Sequence, residues 1–255
     1  MIDLSLLDIL APGLVAGLIV LAAHAPLGIE VLKRGIVFID LATAQVVGLA
    51  LILLSLWLED PFWMVHQSVS FGAGIAIALF FRWIERVSPH EQEAVIGSSF
   101  IVAASLGLLV LANDPHGGEV LNEVLSGQIL FISWADIAAF LPVYAFFMIA
   151  WFTTPRLQSG TGFFLLFALV ITASVQLVGV YVVFASLILP ALAARKEQGY
   201  VLSRAYISGA VAIVAAILIS AFMDLPAGPF LVLCFAISAI AMRVPWRKKV
   251  PVRSD

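Results

Sequence analysis

Two side chains in the stretch 27–49, LGIEVLKRGIVFIDLATAQVVGL, sit oddly in their surroundings: the carboxylate of Asp40 and the amide of Gln45. Both lie inside an apolar segment whose foot carries Lys33 and Arg34. A carboxylate at the centre of a membrane helix costs at least ~2.5 kcal/mol on the mildest scales, so it counts first as a candidate for function. As chemistry, Asp40 reads as a transient ligand or gate acid for a cation. The competing reading is structural: Asp40 lies only about two helical turns beyond Arg34 and could pair with Lys33 or Arg34 at the membrane interface. Gln45 either faces the same path or makes an interhelical hydrogen bond of ~0.6 kcal/mol. A third polar residue, Gln176, stands where a long apolar run has to turn, and broken helices expose backbone groups to a cavity at such points. No nucleophile–base pair is visible, and there is no GxxxxGK[ST] phosphate loop, so this chain cannot hydrolyse ATP through a P-loop of its own.

The elements that must carry these residues are apolar throughout. Of the 255 residues, 63% are hydrophobic and 11% charged, against roughly a quarter charged in ordinary soluble domains. Runs of spanning length make this an all-α polytopic membrane protein, a single transmembrane domain over 1–255. The expected spans are 6–23, broken near Pro12 and Gly13, then 35–58, 69–84, 94–112 and 137–154. After them come the run 162–194 and the spans 206–222 and 229–241. His24, Pro26 and Gly28 read as a turn between the first two spans. The run 162–194 is too long for one crossing at ~1.5 Å per residue, and its natural break is 176–179. That gives about eight to nine crossings. The single cysteine, Cys234, excludes an internal disulfide and reads as a packed thiol.

Basic residues in short loops set orientation. Lys33/Arg34, Arg82/Arg86, Arg156, Arg195/Lys196/Arg204 and the tail from Arg243 to Arg253 alternate with loops lacking Lys and Arg: 59–67, 113–128 and the Asp224 turn. Placing the basic loops inside puts the N-terminus outside and the C-terminus in the cytoplasm, in a cell (inner) membrane, with no nucleic-acid partner expected. The outer side then holds His66, Asp114, His116, Glu119 and Glu123, whose spacing fits no closed ligand set. The inner side holds His90, Glu91 and Glu93, read as the capped start of a helix.

Five motifs, in order, resemble the membrane permease subunits of ABC importers for divalent metals, the zinc, manganese and iron family. They are the Arg34-x5-Asp40 entry into the second helix, AVIGSSFIVAASLGLLVLA (94–112), LSGQILFIS (125–133), VGVYVVFASLILPALAAR (178–195) and FMDLPAGPFLVL (222–233). The resemblance implies a fold similar to the vitamin-B12 and siderophore permeases. It implies two copies around one central path, an ABC ATPase dimer docked from the cytoplasm, an external metal-binding protein, and a transported divalent metal, zinc first and then manganese or iron, with no permanently bound cofactor. Asp40, Gln45 and Gln176 would line the path. Pro190, Arg195, Lys196, Glu197 and Arg204 would belong to the segment coupled to the ATPase, for which the plain alternative is a helix-connecting loop. Asp224, Pro226 and Gly228 would form an outer gate or turn. The chain departs from the family one helical turn after Asp40, where most relatives carry a histidine on the same face and this chain has Ala44. Imidazole suits zinc, whereas oxygen ligands alone suit harder ions. Two other classes remain on the table: a permease for a metal chelate, and a stand-alone secondary carrier, for which Asp40 is the only buried charge on offer.

Overall fold

The structure is a computed structural model that describes residues 4–58, 61–111, 129–194, 199–223 and 225–243. Nine α-helices occur among them: α1 (Leu4–Arg34), α2 (Ile39–Ser55), α3 (Trp63–Val87), α4 (Gln92–Leu111), α5 (Trp134–Thr153), α6 (Gly160–Val178), α7 (Val180–Ala194), α8 (Val201–Met223) and α9 (Ala227–Arg243). Short 3-10 turns at Pro89–Glu91, Ile129–Phe131 and Pro155–Gln158 lead into α4, α5 and α6. Six helices are long and apolar enough to cross a membrane, and α2, α7 and α9 are shorter apolar helices.

The first expected turn is absent. α1 runs unbroken for 31 residues through Pro12, Pro26 and Gly28, and the chain turns only after Arg34. Proline in a helix removes one backbone hydrogen bond, which must be replaced in an apolar medium. At Pro26 the bereft acceptor is the carbonyl of Ala22, and the Tyr206 hydroxyl of α8 donates to it at 2.9 Å. Gly28 has a packing reason instead. A Cβ there would stand 1.9 Å from the Leu187 carbonyl oxygen, so glycine is what lets α1 lie directly on the α7 backbone. The breakers that mark a turn in isolation are thus absorbed by α7 and α8.

The break expected at 176–179 is present. α6 ends at Val178 and α7 begins at Val180, with Gly179 between them at φ 81, a conformation disfavoured for residues with a Cβ. α6 and α7 are buried along most of their length and form the centre, with α1, α8 and α9 packed on α7, and α2, α3 and α5 on α6. α3 and α4 are largely exposed and apolar (Ile101, Leu109 and Trp83 among others), as a lipid-facing side requires. Cys234 is a buried free thiol.

Every described Lys and Arg falls at the end of the bundle where α1, α3, α5, α7 and α9 finish. Cross-helix contacts fix that end: Arg34 with Glu85 of α3, Arg204 with the Met242 carbonyl of α9, and Arg243 with the Leu192 carbonyl of α7.

Candidate translocation site and its surroundings

Asp40 occupies the first turn of α2 and is 1% exposed. Among the described residues neither carboxylate oxygen has a side-chain partner, and the nearest donors are the backbone N–H groups of its own turn, Asp40 and Leu41. The expected structural alternative, pairing with Lys33 or Arg34, does not occur. Lys33 reaches Glu30 at 3.7 Å, and Arg34 is committed three ways. Its Nε donates to Glu30 at 3.0 Å, Nη1 to Glu85 at 3.2 Å and Nη2 to the Gln158 carbonyl at 3.0 Å. Its guanidinium also lies 4.1 Å above the Phe163 ring. Arg82 pairs with the other oxygen of Glu85. Arg34 therefore ties α1, α3, the turn before α6 and α6 itself together, and leaves Asp40 unpaired. The reason is directional. α1 stays helical through Arg34, so that side chain points across the bundle end, while the turn at 35–38 reverses the chain before Asp40.

What Asp40 has nearby is the start of its own helix, where free backbone N–H groups favour negative charge. A second acid joins it there. Glu93, expected to cap the start of its own helix, instead accepts from the Phe38 amide at the start of α2, and its other oxygen is buried without a partner. Two carboxylates thus meet at one helix end, and Arg34 neutralises neither. Gln45 stands apart: it is half-buried and five residues on from Asp40, about 140° around the helix, so the structure does not bring the two onto one face. The face of α2 that carries Asp40 holds Thr43, Ala44 and Val47 instead.

At the opposite end Gln176, on the last turn of α6, accepts from Gln67 Nε2 of α3 at 2.9 Å and donates to the Thr172 carbonyl at 3.1 Å. Gln67 Oε1 and Thr172 Oγ1 are buried without partners. Val47 of α2, Gly74 of α3 and Thr172 of α6 converge where a Cβ on Gly74 would fall 2.4 Å from the Thr172 hydroxyl. The seam of α2, α3 and α6 therefore carries a run of under-bonded polar atoms, from Asp40 at one end to Gln67 and Gln176 at the other. Sequence reading missed Gln67, a polar residue in the first turns of a helix whose apolar run starts later.

The remaining expectations divide. Pro190 is inside α7 and buried. Arg195, Lys196 and Glu197 lie outside the described residues. Arg204 belongs not to a connecting turn but to α8, one turn in, where it binds the end of α9. Asp224 lies outside the described residues, as do Asp114, His116, Glu119 and Glu123; Pro226 precedes α9, and Gly228 is buried in its first turn. Of the small-residue face on α4, Gly107 packs towards Ile52 of α2. Ser98 and Ser99 instead bond to their own helix carbonyls beside an open groove. No group of three or more His, Cys, Asp or Glu side chains is placed to hold a metal among the described residues.

His24, expected near a turn, is in mid-helix and 0% exposed, roughly 15 Å along α1 from Arg34 and so near the middle of a ~30 Å apolar layer. Its Nδ1 lies 2.7 Å from Ser186 Oγ of α7, and its Nε2 lies 3.0 Å from Ser174 Oγ of α6. Ser174 in turn meets the Tyr144 hydroxyl of α5 at 2.8 Å.

Such a bundle, apolar outside, with basic residues at one end and a buried acid on one of its helices, is that of a multi-pass membrane protein. The model of the ABC 3 transport family matches residues 6–159 and 154–244. The chain belongs to that family. The high-affinity zinc uptake system membrane protein ZnuB of Haemophilus influenzae is 25% identical over 254 residues, 90% of this chain and 94% of that one. The manganese transport system membrane protein MntC of Halalkalibacterium halodurans is 27% identical over 196 residues, 67% of each chain. A solved structure, PsaBC from Streptococcus pneumoniae in complex with Fab, superposes with a TM-score of 0.72 at 20% identity, over 92% of this chain and 90% of that one. That likeness carries the fold.

Proposed function

We propose that this chain is the membrane permease subunit of an ATP-driven importer of divalent metal ions, zinc first, with manganese or iron as the other cargoes. It is a single transmembrane domain of eight to nine crossings, related in fold to the vitamin-B12 and siderophore permeases. It has its N-terminus outside and its C-terminus in the cytoplasm of the cell (inner) membrane. It works as a pair of identical copies with an ABC ATPase dimer and an external metal-binding protein, and performs no catalysis itself. The observation that carries the reading is the family match along nearly the whole chain, joined to Asp40, a buried carboxylate that no cation among the described residues neutralises. An anion left unpaired in low dielectric is strongly unfavourable, so such a carboxyl group takes up either a proton or a cation from outside. Asp40 is the acid on the path, with Gln176 and Gln67 at its far end; Gln45 faces elsewhere. The segment from Pro190 through Arg195, Lys196 and Glu197 to Arg204 couples the helices to the ATPase, and Asp224, Pro226 and Gly228 form the outer turn.

The test is reconstitution with the ATPase and binding protein in liposomes. Zinc, manganese or iron in the lumen should rise with ATP, and Asp40→Asn should lower that uptake at least tenfold while leaving the melting temperature the same or higher. Uptake without any ATPase would favour a secondary carrier, and uptake of a chelate but no free ion would favour the siderophore class. Full metal uptake by Asp40→Asn would remove Asp40 from the path.

A further inference from the structure

His24 is the most completely enclosed ionisable side chain in the described bundle, and the transport reading above gives it no task. One arrangement of its hydrogen bonds uses every donor once. With the Ser186 hydroxyl donated to the Val183 carbonyl at 3.1 Å, Ser186 accepts from His24, and Nδ1 carries the proton. Nε2 is then an acceptor and accepts a hydrogen bond from the Ser174 hydroxyl. The Ser174 oxygen, having donated, accepts from Tyr144. The chain of bonds therefore runs Tyr144 to Ser174 to His24 to Ser186 to the Val183 carbonyl, each donor used once, and it ends on a backbone acceptor with no further donor. What the arrangement does is mechanical.

Ser174 lies five residues before Gly179 and Ser186 seven residues after it, so one imidazole from α1 joins the two arms of the broken pair α6–α7 across their junction. Gly179 at φ 81 breaks the helix, and the backbone bonds there run within each arm, from the Gly179 amide to the Val175 carbonyl and from the Val183 amide to the Gly179 carbonyl. We propose that His24 is the positioning residue of this junction: by bridging Ser174 and Ser186 it fixes α6 against α7, and with α6 it fixes Gln176, two residues beyond Ser174, at the far end of the seam. The functional half of this statement rests on the transport reading; the structural half stands without it. Position 24 needs both ring nitrogens. An asparagine can reproduce only the contact made by Nδ1, and a glutamine only that made by Nε2.

Hydrogen exchange followed by mass spectrometry on the purified full chain in detergent tests the junction. His24→Ala should accelerate amide exchange about tenfold in peptides spanning 175–186, with peptides from α3 and α4 unchanged. Ser174→Ala and Ser186→Ala, which each remove a single hydroxyl, should each do so by a smaller factor, and they serve if His24→Ala does not fold. His24→Asn and His24→Gln should each fall between wild type and alanine. In the reconstituted complex, the same variants should lower metal taken up per ATP hydrolysed several-fold, which a general loss of stability does not do. Acceleration spread evenly over all helices, or none at 175–186, would overturn the bridge. Localised acceleration with unchanged uptake per ATP would overturn its role in transport. A wild-type complex that moves no metal would count against the transport reading, and the exchange result would still decide the bridge.

Discussion

Replacing Gly28 by alanine tests the close approach of α1 to α7. In the middle of a helix this exchange is usually favourable by ~1 kcal/mol, because glycine is the poorer helix former. Here the added methyl would stand 1.9 Å from the Leu187 carbonyl oxygen and 2.9 Å from its carbon, backbone atoms that no rotamer change can move. Relief to an ordinary C···O separation of ~3.3 Å needs α1 and α7 to part by roughly 1.4 Å. The consequence reaches one turn back along α1. Added to the 2.7 Å between His24 Nδ1 and Ser186 Oγ, that displacement gives a separation of about 4 Å, outside hydrogen-bond range. Overpacking of this kind costs about 1–3 kcal/mol, and the lost buried bond adds about 1, so the clash outweighs the helix-propensity gain. Gly28→Ala should therefore destabilise by about 1–3 kcal/mol, lowering the melting temperature of the detergent-solubilised protein by several degrees. Gly97→Ala on α4 is the internal control, since nothing lies within 4 Å of its Cβ, and it should be neutral or stabilising. Equal melting temperatures for the two variants would refute the close approach of α1 to α7, and with it the distance on which the His24 bridge depends.

Two further outcomes follow from side chains whose partners are now known. Arg34→Ala leaves Glu30 without its closer cation, takes one of two partners from Glu85 and frees the Gln158 carbonyl, so it should cost about 2 kcal/mol in thermal unfolding. Lys33→Ala, with a side chain 68% exposed, should cost under ~0.5 kcal/mol; equal losses would mean that the Arg34 cluster is merely solvated surface. Ser133 and Asp136 form a reciprocal cap at the start of α5, and Ser133→Ala should lower stability by ~1 kcal/mol with faster amide exchange confined to the first turn of that helix.

Much of the architecture was readable from local pattern alone, because an apolar medium leaves the backbone few choices. Runs of apolar residues had to become helices, and a run from 162 to 194 had to break, at the one glycine that takes φ 81. The alternation of basic and non-basic loops anticipated a bundle whose described Lys and Arg all gather at one end. These are signals spread over one or two turns, or over lengths set by the bilayer. The ordered motifs carried the family for the same reason, since each is a contiguous string.

The partners were decided by tertiary structure. Pro26 and Gly28 look like a turn until Tyr206 supplies the missing donor to Ala22 and Leu187 presents its backbone to a residue without a Cβ. Arg34 looks available to Asp40 six residues away, yet it is taken by Glu85, 51 residues on, and by Gln158, 124 residues on. His24 looks like one more polar residue beside a loop, and it becomes a bridge only because Ser174 and Ser186 arrive from 150 and 162 residues further along the chain. Apolar runs could be read as helices because helix formation satisfies each backbone group within a few residues. The sequence left open which polar side chains would be satisfied, because those bonds close only when distant helices pack, and Asp40 is the acid that packing left unpaired.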